Sequence, residues 1–282
     1  MRRKLEIDRS GERGSIPKRA VLFIILLASA AMVSFSALSI VQWVIDRNIA
    51  RAVEDDLRDN IEVGEDTNEA DLVNPPTDDP ESDYWSFIKM PLVNVDFDQL
   101  LERNSDTVGW INLPATNINY PIVQTDNNSY YLNHAFDGSK TRAGWIFADY
   151  RNNMTSFDQN TIVYGHSRLD NTMFGSLKNA LQKSWYTNKD NHVIRLSTPT
   201  ENTMWQVFAV YKHAPESYYI TPKFENEAGY EQFLKTISGR SIYDFGVTVS
   251  VNDRVLTLST CANNIAQDRV VLHARLIKSR IR

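Results

Sequence analysis

The longest run of apolar residues lies near the N-terminus, where residues 20–45 contain no charged side chain. As a helix, this stretch of 26 residues reaches about 39 Å, which exceeds the roughly 30 Å hydrocarbon core of a bilayer. Apolar residues then recur every four positions, as Ile45, Ile49, Val53, Leu57 and Ile61. The pattern predicts a membrane-spanning helix over 20–45 that continues beyond the membrane as a short helical stalk.

A cleaved signal peptide is the alternative for this segment, because Ala28-Ser29-Ala30 has the form of a processing site. However, the uncharged run is about twice as long as the apolar region of a signal peptide, and Trp43 stands where an interfacial anchor belongs. Residues 1–19 carry seven Lys and Arg against three acids, which favours the cytoplasmic side. We therefore expect an uncleaved single-pass anchor in the cell membrane, a cytoplasmic N-terminus over 1–19 and an extracellular remainder.

The segment that follows, residues 46–83, is acidic and polar. It holds fourteen acidic residues against three basic ones, and Pro75, Pro76 and Pro80 interrupt its second half. From Glu62 to Asp83 few large apolar residues are available for burial, which is typical of a flexible spacer. The sequence therefore predicts a stalk and acidic linker over 46–83 and a globular domain over 84–282.

The globular domain is rich in short apolar runs separated by turn residues. A helix is predicted over 97–104, where Asp96 and Gln99 have the spacing of a capping box, and helical periodicity also covers 173–181 and 230–238. The predicted strands are residues 107–112, 118–124, 144–148, 161–165, 192–197, 203–211, 247–251, 254–260 and 269–277. Many short strands joined by Asn, Asp, Gly and Pro turns predict a mostly β barrel or sandwich.

Composition narrows the possible functions. The chain has 282 residues, of which 42% are hydrophobic, and a net charge of −5. The globular part shows no strongly basic face, so nucleic-acid binding has little support. A single cysteine excludes an internal disulfide and a Cys-based structural zinc site, and the five histidines lack metal-ligand spacing. We therefore expect neither a metal nor a cofactor.

The single cysteine, Cys261, stands at the end of the predicted strand 254–260. A strand end gives a nucleophile a rigid support and an open approach. A thiol with a pKa near 8.5 is only a few per cent thiolate at pH 7, so a nucleophilic Cys261 needs a basic or cationic neighbour. A buried cysteine that only packs is the alternative.

Two residues are the main candidates for that neighbour. His166 follows the apolar run 161–163 and projects from a strand end, with a solvated loop histidine as the alternative. Arg269 opens the next strand, and antiparallel pairing would return its guanidinium to the thiol, where it is suited to stabilising an oxyanion. An ion pair with Asp268, or a solvent-exposed side chain, is the alternative for Arg269. The remaining histidines are assigned to packing or solvent: His134, His192, His213 and His273.

The segment Thr257-Leu258-Ser259-Thr260-Cys261, followed by Arg269, resembles the signature of sortases in its class B form. Further segments resemble class B sortases in the family's order, so that the resemblance covers residues 84–278: 117–124, 126–134, 144–152 and 161–167. The resemblance implies an eight-stranded β-barrel with N-terminal helices, a helix in the loop before the cysteine strand, and a preceding transmembrane helix.

By this resemblance the protein is a cysteine transpeptidase that cleaves a C-terminal sorting signal after Thr. Cys261 would form a thioacyl intermediate, His166 would protonate the leaving amine and deprotonate the incoming one, and Arg269 would hold the oxyanion. The implied partners are secreted proteins with an NPQTN-like or (S/P/L)PXTG-like signal and an amine of the peptidoglycan cross-bridge or precursor. The implied substrate-groove residues are Asn128, Leu132, Tyr164, Tyr219, Ile220 and Ser259.

Three alternatives remain at this point. A papain-like hydrolase would place its cysteine near a helix start and its histidine downstream, whereas His166 lies upstream of Cys261. A sortase of another class, such as a pilin-polymerising one, often carries a second membrane segment, which is not expected because the chain ends at Arg282, soon after the last strand. A non-catalytic surface protein that only binds peptides or wall would tolerate the loss of Cys261.

Overall fold

The computed structural model describes residues 18–261 and 268–282, and the chain forms two compact units with their boundary between Ile45 and Asp46. Helix α1 (Lys18–Asn60) supplies the described part of the first unit and the start of the second. Within the described residues, α1 is the one helix that is long and apolar enough to cross a membrane. The length and composition of α1 make residues 20–45 a candidate membrane span.

Eight of the described strands close into a β-barrel, as the resemblance implied. The barrel strands are β4 to β11, which pair in the order β10-β7-β6-β5-β4-β8-β9-β11, and an antiparallel pairing of β11 with β10 completes the ring. Strand β2 adds to β11, and β1 pairs with β3 outside the barrel. The strands are β1 (Val63–Asp66), β2 (Asp71–Leu72), β3 (Leu92–Val95), β4 (Thr107–Asn112), β5 (Asn119–Val123), β6 (Phe147–Ala148), β7 (Asn160–His166), β8 (Val193–Ser197), β9 (Glu201–His213), β10 (Val255–Cys261) and β11 (Arg269–Ile281).

Four further α-helices lie around the barrel in the described residues: α2 (Tyr84–Phe87), α3 (Phe97–Arg103), α4 (Lys183–Tyr186) and α5 (Glu227–Gly239). The Asp96 carboxylate accepts hydrogen bonds from the amides of Asp98 and Gln99 at 3.1 and 3.3 Å, which caps α3 as its sequence predicts. Helix α5 buries its apolar stripe, and it is the helix expected in the loop before the cysteine strand. The predicted fold class is therefore confirmed.

Two predicted elements differ in the structure. Residues 247–251, predicted as a strand, pair with none of the described strands; Val247, Val249 and Val251 are half-buried and pack against the cluster that contains α5. Packing on a helix produces the same alternation of apolar and polar residues as pairing in a sheet, so the pattern alone does not distinguish them. The helix predicted over 173–181 is a 3₁₀ helix, Phe174–Leu181.

The structure also differs from the expectation of a flexible spacer over 62–83, after the helical stalk. Leu57 and Ile61 are buried in the main core, and β1 and β2 form between residues 63 and 72. Asp66 is buried, and hydrogen bonds from Asn202 and Arg280 overcome the effect of burial and lower the pKa of Asp66 to about 2. The composition of this segment did not indicate that it is folded, because the partners of Asp66 lie far away in the sequence.

Candidate active site

Cys261 is the last residue of β10 and is half-buried. Strand β10 is paired along both edges, in parallel with β7 and antiparallel with β11. The six residues before Cys261 are buried, and Thr257 donates a hydrogen bond to Oδ1 of Asn160 at 2.6 Å. The backbone that carries the thiol is therefore held rigidly, and its position at a strand end differs from the helix start of a papain-like enzyme.

His166 is the register partner of Cys261 across the parallel pair β7–β10. The amide of Ser167 donates a hydrogen bond to the carbonyl oxygen of Cys261 at 3.1 Å, which continues the ladder past the two residues. Residues paired in this way lie roughly 4.8 Å apart and project from the same face of the sheet. The barrel thus brings the thiol and the imidazole together although 95 positions separate them in the sequence.

The ring of His166 is oriented by a backbone carbonyl. Its Nε2 lies 2.8 Å from the carbonyl oxygen of Leu132, and because a carbonyl only accepts, the neutral ring carries its proton on Nε2. Nδ1 is buried and has no hydrogen-bond partner among the described residues. The unprotonated Nδ1 is therefore available to take a proton.

Gly144 allows the close approach that supports this orientation. Its φ is +61°, and an added Cβ would lie 2.8 Å from Cδ2 of His166 and 2.6 Å from the carbonyl oxygen of Tyr131. Both the backbone angle and the space require glycine. A larger residue would displace the ring or the segment that ends in Leu132.

Arg269, the first residue of β11, returns to the end of β10 as the sequence predicts. Its Nη1 donates a hydrogen bond to the carbonyl oxygen of Thr260 at 3.2 Å, and the next amide, of Val270, donates to Oγ1 of Thr260 at 2.9 Å. The guanidinium is thus fixed beside Cys261, where its positive charge and a hydrogen bond to the thiol act on that group.

Burial sets the resting protonation of the pair. Desolvation raises the pKa of the Cys261 thiol to about 11, although the charge of Arg269 opposes the rise. Desolvation also lowers the pKa of His166, and the hydrogen bond to Leu132 only partly offsets that effect. At pH 7 the resting site therefore contains a neutral thiol and a neutral imidazole.

Tyr164 and Ser259 stand next to His166 and Cys261 on the same two strands. They are register partners, two residues before His166 and Cys261, so all four side chains project from one face of β7–β10. The hydroxyl of Tyr219, on the 3₁₀ turn Tyr218–Ile220, lies 3.4 Å from Oγ of Ser259. Three predicted groove residues therefore meet beside the thiol.

Asp149, which was not predicted from the sequence, connects Asn128 and Ile220 to Tyr164. Its buried carboxylate accepts hydrogen bonds from Tyr164 at 2.8 Å and from Asn128 at 3.0 Å, and it binds the Arg151 guanidinium through both oxygens. Burial alone would raise the pKa of Asp149, but the hydrogen bonds from Arg151 and Tyr164 lower it. Arg151 also donates to the carbonyl oxygen of Ile220 at 2.9 Å.

The structure thus brings all nine predicted site residues into one connected set. Asp149, Arg151 and Gly144 were missed as site residues, although all three fall in the segment 144–152 that carries the family resemblance. The sequence signal for Asp149 and Arg151 was an acid and a base two positions apart at the end of the predicted strand 144–148. That signal is weak, since such pairs are common on protein surfaces.

The other histidines lie outside this set. His273 is buried in the barrel wall, bonded to the Tyr211 hydroxyl and to Oγ1 of Thr257 at 2.8 Å each, and burial lowers its pKa to about 3. His134 stacks on Tyr130. Across residues 18–261 and 268–282, no group of three or more His, Cys, Asp or Glu is arranged to hold a metal ion.

Comparisons with known proteins agree with this geometry. A model of the sortase domain matches residues 111–277. Sortase B of Staphylococcus aureus is 39% identical over 188 residues, which cover 66% of this chain and 76% of the relative. Sortase B of Listeria monocytogenes is 37% identical over 180 residues, which cover 63% of this chain and 72% of the relative.

Solved structures show the same similarity in three dimensions. A substrate complex of Staphylococcus aureus sortase B superposes with a TM-score of 0.61 at 39% identity, and the match covers 64% of this chain and 84% of that one. Sortase B from Bacillus anthracis, in complex with AAEK1, superposes with a TM-score of 0.65 at 32% identity, covering 84% and 99%. A sortase B complexed with triglycine matches at 40% identity and a TM-score of 0.61, covering 64% and 85%.

Proposed function

The chain belongs to the sortase family, within class B, and on that premise we propose that it cleaves a C-terminal sorting signal after Thr and transfers the new carbonyl end to a peptidoglycan amine. One observation carries the proposal: Cys261 and His166 are register partners, with Arg269 bound to the carbonyl next to the thiol. A nucleophile, a proton acceptor and a fixed cation are the groups that acyl transfer through a thioester requires.

The proposed first half-reaction forms the thioester. Sγ of Cys261 attacks the Thr carbonyl carbon while the thiol proton passes to Nδ1 of His166. The guanidinium of Arg269 stabilises the resulting oxyanion. When the tetrahedral intermediate collapses, the C–N bond breaks and the imidazolium gives its proton to the departing amine. The products are a thioacyl enzyme on Cys261 and a free C-terminal peptide.

The second half-reaction repeats these steps with a new amine. His166 removes a proton as the amine attacks the thioester, Arg269 again holds the oxyanion, and the C–S bond breaks. The thiolate of Cys261 takes back a proton from the imidazolium, so the enzyme returns to its starting state. A related sortase B is complexed with triglycine, which supports an amine acceptor for this chain as well.

We assign the sorting signal to the groove beside Cys261. Tyr164, Tyr219 and Ser259 lie next to the thiol, and Asp149 with Arg151 joins them to Asn128 and Ile220. Leu132 contributes through its carbonyl contact to His166 and its partly buried side chain. The resemblance to class B sortases makes NPQTN-like signals the first motif to test, followed by (S/P/L)PXTG-like ones.

We further propose that residues 20–45 anchor the enzyme in the cell membrane, with residues 1–19 in the cytoplasm and the barrel outside. The support is the uncharged length of the segment and the cluster of Lys and Arg before it. The secreted substrate protein and the wall amine both lie on that outer side. Since the second compact unit begins at Asp46, residues 46–83 are assigned to it as a folded stalk.

The test uses the full chain in detergent micelles with fluorogenic peptides that carry NPQTN, LPXTG or SPXTG motifs, with and without triglycine. Intact-mass spectrometry follows the protein. We expect an acyl adduct on Cys261 that triglycine resolves faster than water does, and no adduct on Cys261→Ala. A folded protein that forms no adduct with any motif, or an equal rate of resolution by water and by amine, would contradict the transpeptidase proposal.

A further inference from the structure

Four buried polar side chains form a hydrogen-bonded row across four adjacent strands of the barrel, here called the polar row. Its members are Asn160 on β7, Thr257 on β10, His273 on β11 and Tyr211 on β9. Asn160 lies an even number of positions before His166 on β7, and Thr257 lies an even number before Cys261 on β10. Since alternate residues of a strand face the same side, the row lies on the face of the sheet that carries the thiol and the imidazole.

The hydrogen atoms of the polar row have one consistent arrangement. Nδ2 of Asn160 faces two backbone carbonyl oxygens, which only accept, so its Oδ1 faces Thr257. The Thr257 hydroxyl donates to that oxygen at 2.6 Å and therefore accepts from Nδ1 of His273 at 2.8 Å. Nε2 of the neutral ring then accepts from the Tyr211 hydroxyl at 2.8 Å. The row thus holds the Asn160 amide in one orientation.

The two carbonyl oxygens belong to residues 218–222, here called the groove turn, which carries the proposed groove residues Tyr219 and Ile220. Asn160 bonds three carbonyl oxygens of this turn. The acceptors are those of Tyr219 at 3.1 Å and Thr221 at 3.0 Å, from Nδ2, and that of Pro222 at 3.1 Å, from the backbone amide. A single residue on β7 therefore sets the position of the groove turn against the barrel.

We propose that Asn160 is a positioning residue for the sorting signal, because through the groove turn it fixes Tyr219 and Ile220 beside the thiol. The inference rests on the proposed function of this groove. Without the side-chain amide, the turn loses two buried hydrogen bonds, and its side chains lose their fixed place beside Ser259. Cys261 keeps its place, because β10 is paired along both edges. The loss therefore weakens peptide binding more than it slows the chemistry.

The test compares four variants of the full chain in detergent micelles. Asn160→Ala removes the amide, and Asn191→Ala is its matched control, since Asn191 is also buried and donates from Nδ2 to a carbonyl outside the groove, that of Trp185, at 2.9 Å. Thr257→Val keeps the shape of the side chain but removes the hydroxyl that orients the amide, whereas Thr257→Ser keeps the hydroxyl. Fluorogenic peptides give KM and kcat, and hydrogen exchange followed by mass spectrometry reports the groove turn directly.

We expect Asn160→Ala to raise KM about tenfold, with kcat within about threefold of wild type, and to speed amide exchange in the groove turn. Thr257→Val should change KM and exchange in the same direction by less. Thr257→Ser and Asn191→Ala should keep the KM of wild type, which separates positioning from a general loss of stability.

Unchanged exchange in the groove turn of Asn160→Ala, or faster exchange with an unchanged KM, overturns the proposed role. If Asn160→Ala does not fold, Thr257→Val decides, and a KM equal to that of Thr257→Ser overturns the role. A folded wild-type chain that forms no acyl adduct with any motif overturns the proposed function, and the role of Asn160 in it. These results are distinguishable, because the first two are obtained only with an active wild-type enzyme.

Discussion

At the scale of single residues, the environment of the active site works against the charged forms that the chemistry needs. Desolvation favours the neutral thiol of Cys261 and the neutral imidazole of His166, and only Arg269 acts to lower the thiol pKa. In the proposed mechanism the thiol proton therefore moves during attack rather than before it. A bound peptide that excludes water and presents a carbonyl would strengthen the interaction between the oxyanion and the guanidinium.

The raised thiol pKa predicts the pH dependence of alkylation. With a pKa of about 11 for Cys261, the thiolate fraction rises about tenfold per pH unit below that value. The rate of carbamidomethylation by iodoacetamide should therefore rise across pH 6 to 10 without a plateau. Since Cys261 is the single cysteine, intact-mass spectrometry reports this site alone. A rate that levels off near pH 8 would contradict the raised pKa.

Replacing Arg269 tests its proposed role at the transition state. Arg269→Ala should lower kcat on the order of 10²-fold or more, as the loss of an oxyanion donor does. The thiol pKa should rise further, because the opposing charge is gone. Arg254→Ala is the matched control, since Arg254 is exposed just before the other end of β10. Turnover of Arg269→Ala within about threefold of wild type would remove Arg269 from the mechanism.

At the scale of elements, the pair β7–β10 builds the candidate site because its register aligns His166 with Cys261. Tyr164 faces Ser259 and His166 faces Cys261, so a shift of one residue would turn every one of these side chains to the opposite face. The pairing of β10 with β11 then adds Arg269 from the other edge. The segment around Gly144 completes the arrangement by fixing the ring of His166.

Gly144→Ala tests that last contact. The added Cβ meets His166 and the carbonyl of Tyr131 at a positive φ, so we expect a loss of about 1–3 kcal/mol in stability together with a lower kcat. Gly246→Ala is the matched control, because Gly246 also has a positive φ, of +64°. In contrast to Gly144, no atom of the described residues lies within 4 Å of its added Cβ. This control should lose some stability and retain kcat. Equal kcat values in the two variants would mean that Gly144 does not position His166.

At the scale of the whole molecule, the segment before the barrel is part of the folded unit. Leu57 and Ile61 pack into the main core, and Asp66 bonds Asn202 on β9 and Arg280 on β11. These contacts join the stalk to two neighbouring strands of the barrel. The stalk therefore contributes to the stability of the barrel.

Removing the stalk should destabilise the barrel. A fragment of residues 84–282 loses two buried aliphatic side chains, worth about 1.5–3 kcal/mol each, and the acidic partner of Arg280. We expect its Tm to lie about 10 °C or more below that of a fragment of residues 46–282. Tryptophan fluorescence during heating measures both. Equal Tm values would mean that residues 46–83 form a spacer, as their composition suggests.

The local pattern of the chain determined much of what the structure contains. The uncharged run at 20–45 specified the apolar helix, Asp96 specified the cap of α3, and short apolar runs between turn residues predicted the barrel strands. The ends differ most at β6, which is shorter than predicted, and at β11, which is longer. Local chemistry also singled out Cys261, His166 and Arg269 as residues at strand ends. These features depend on neighbours within a few positions, which is why sequence alone was sufficient.

Only the tertiary structure decided which distant residues meet. The register of Cys261 with His166, the joining of Asn128 to Tyr164 through Asp149, and the burial of Asp66 all depend on strand order in the closed barrel. The predicted strand at 247–251 was wrong for the same reason, because alternation shows which side chains are buried and not what covers them. The periodicity of a segment shows which of its faces is buried, whereas the element that covers this face is set by the packing of the whole chain.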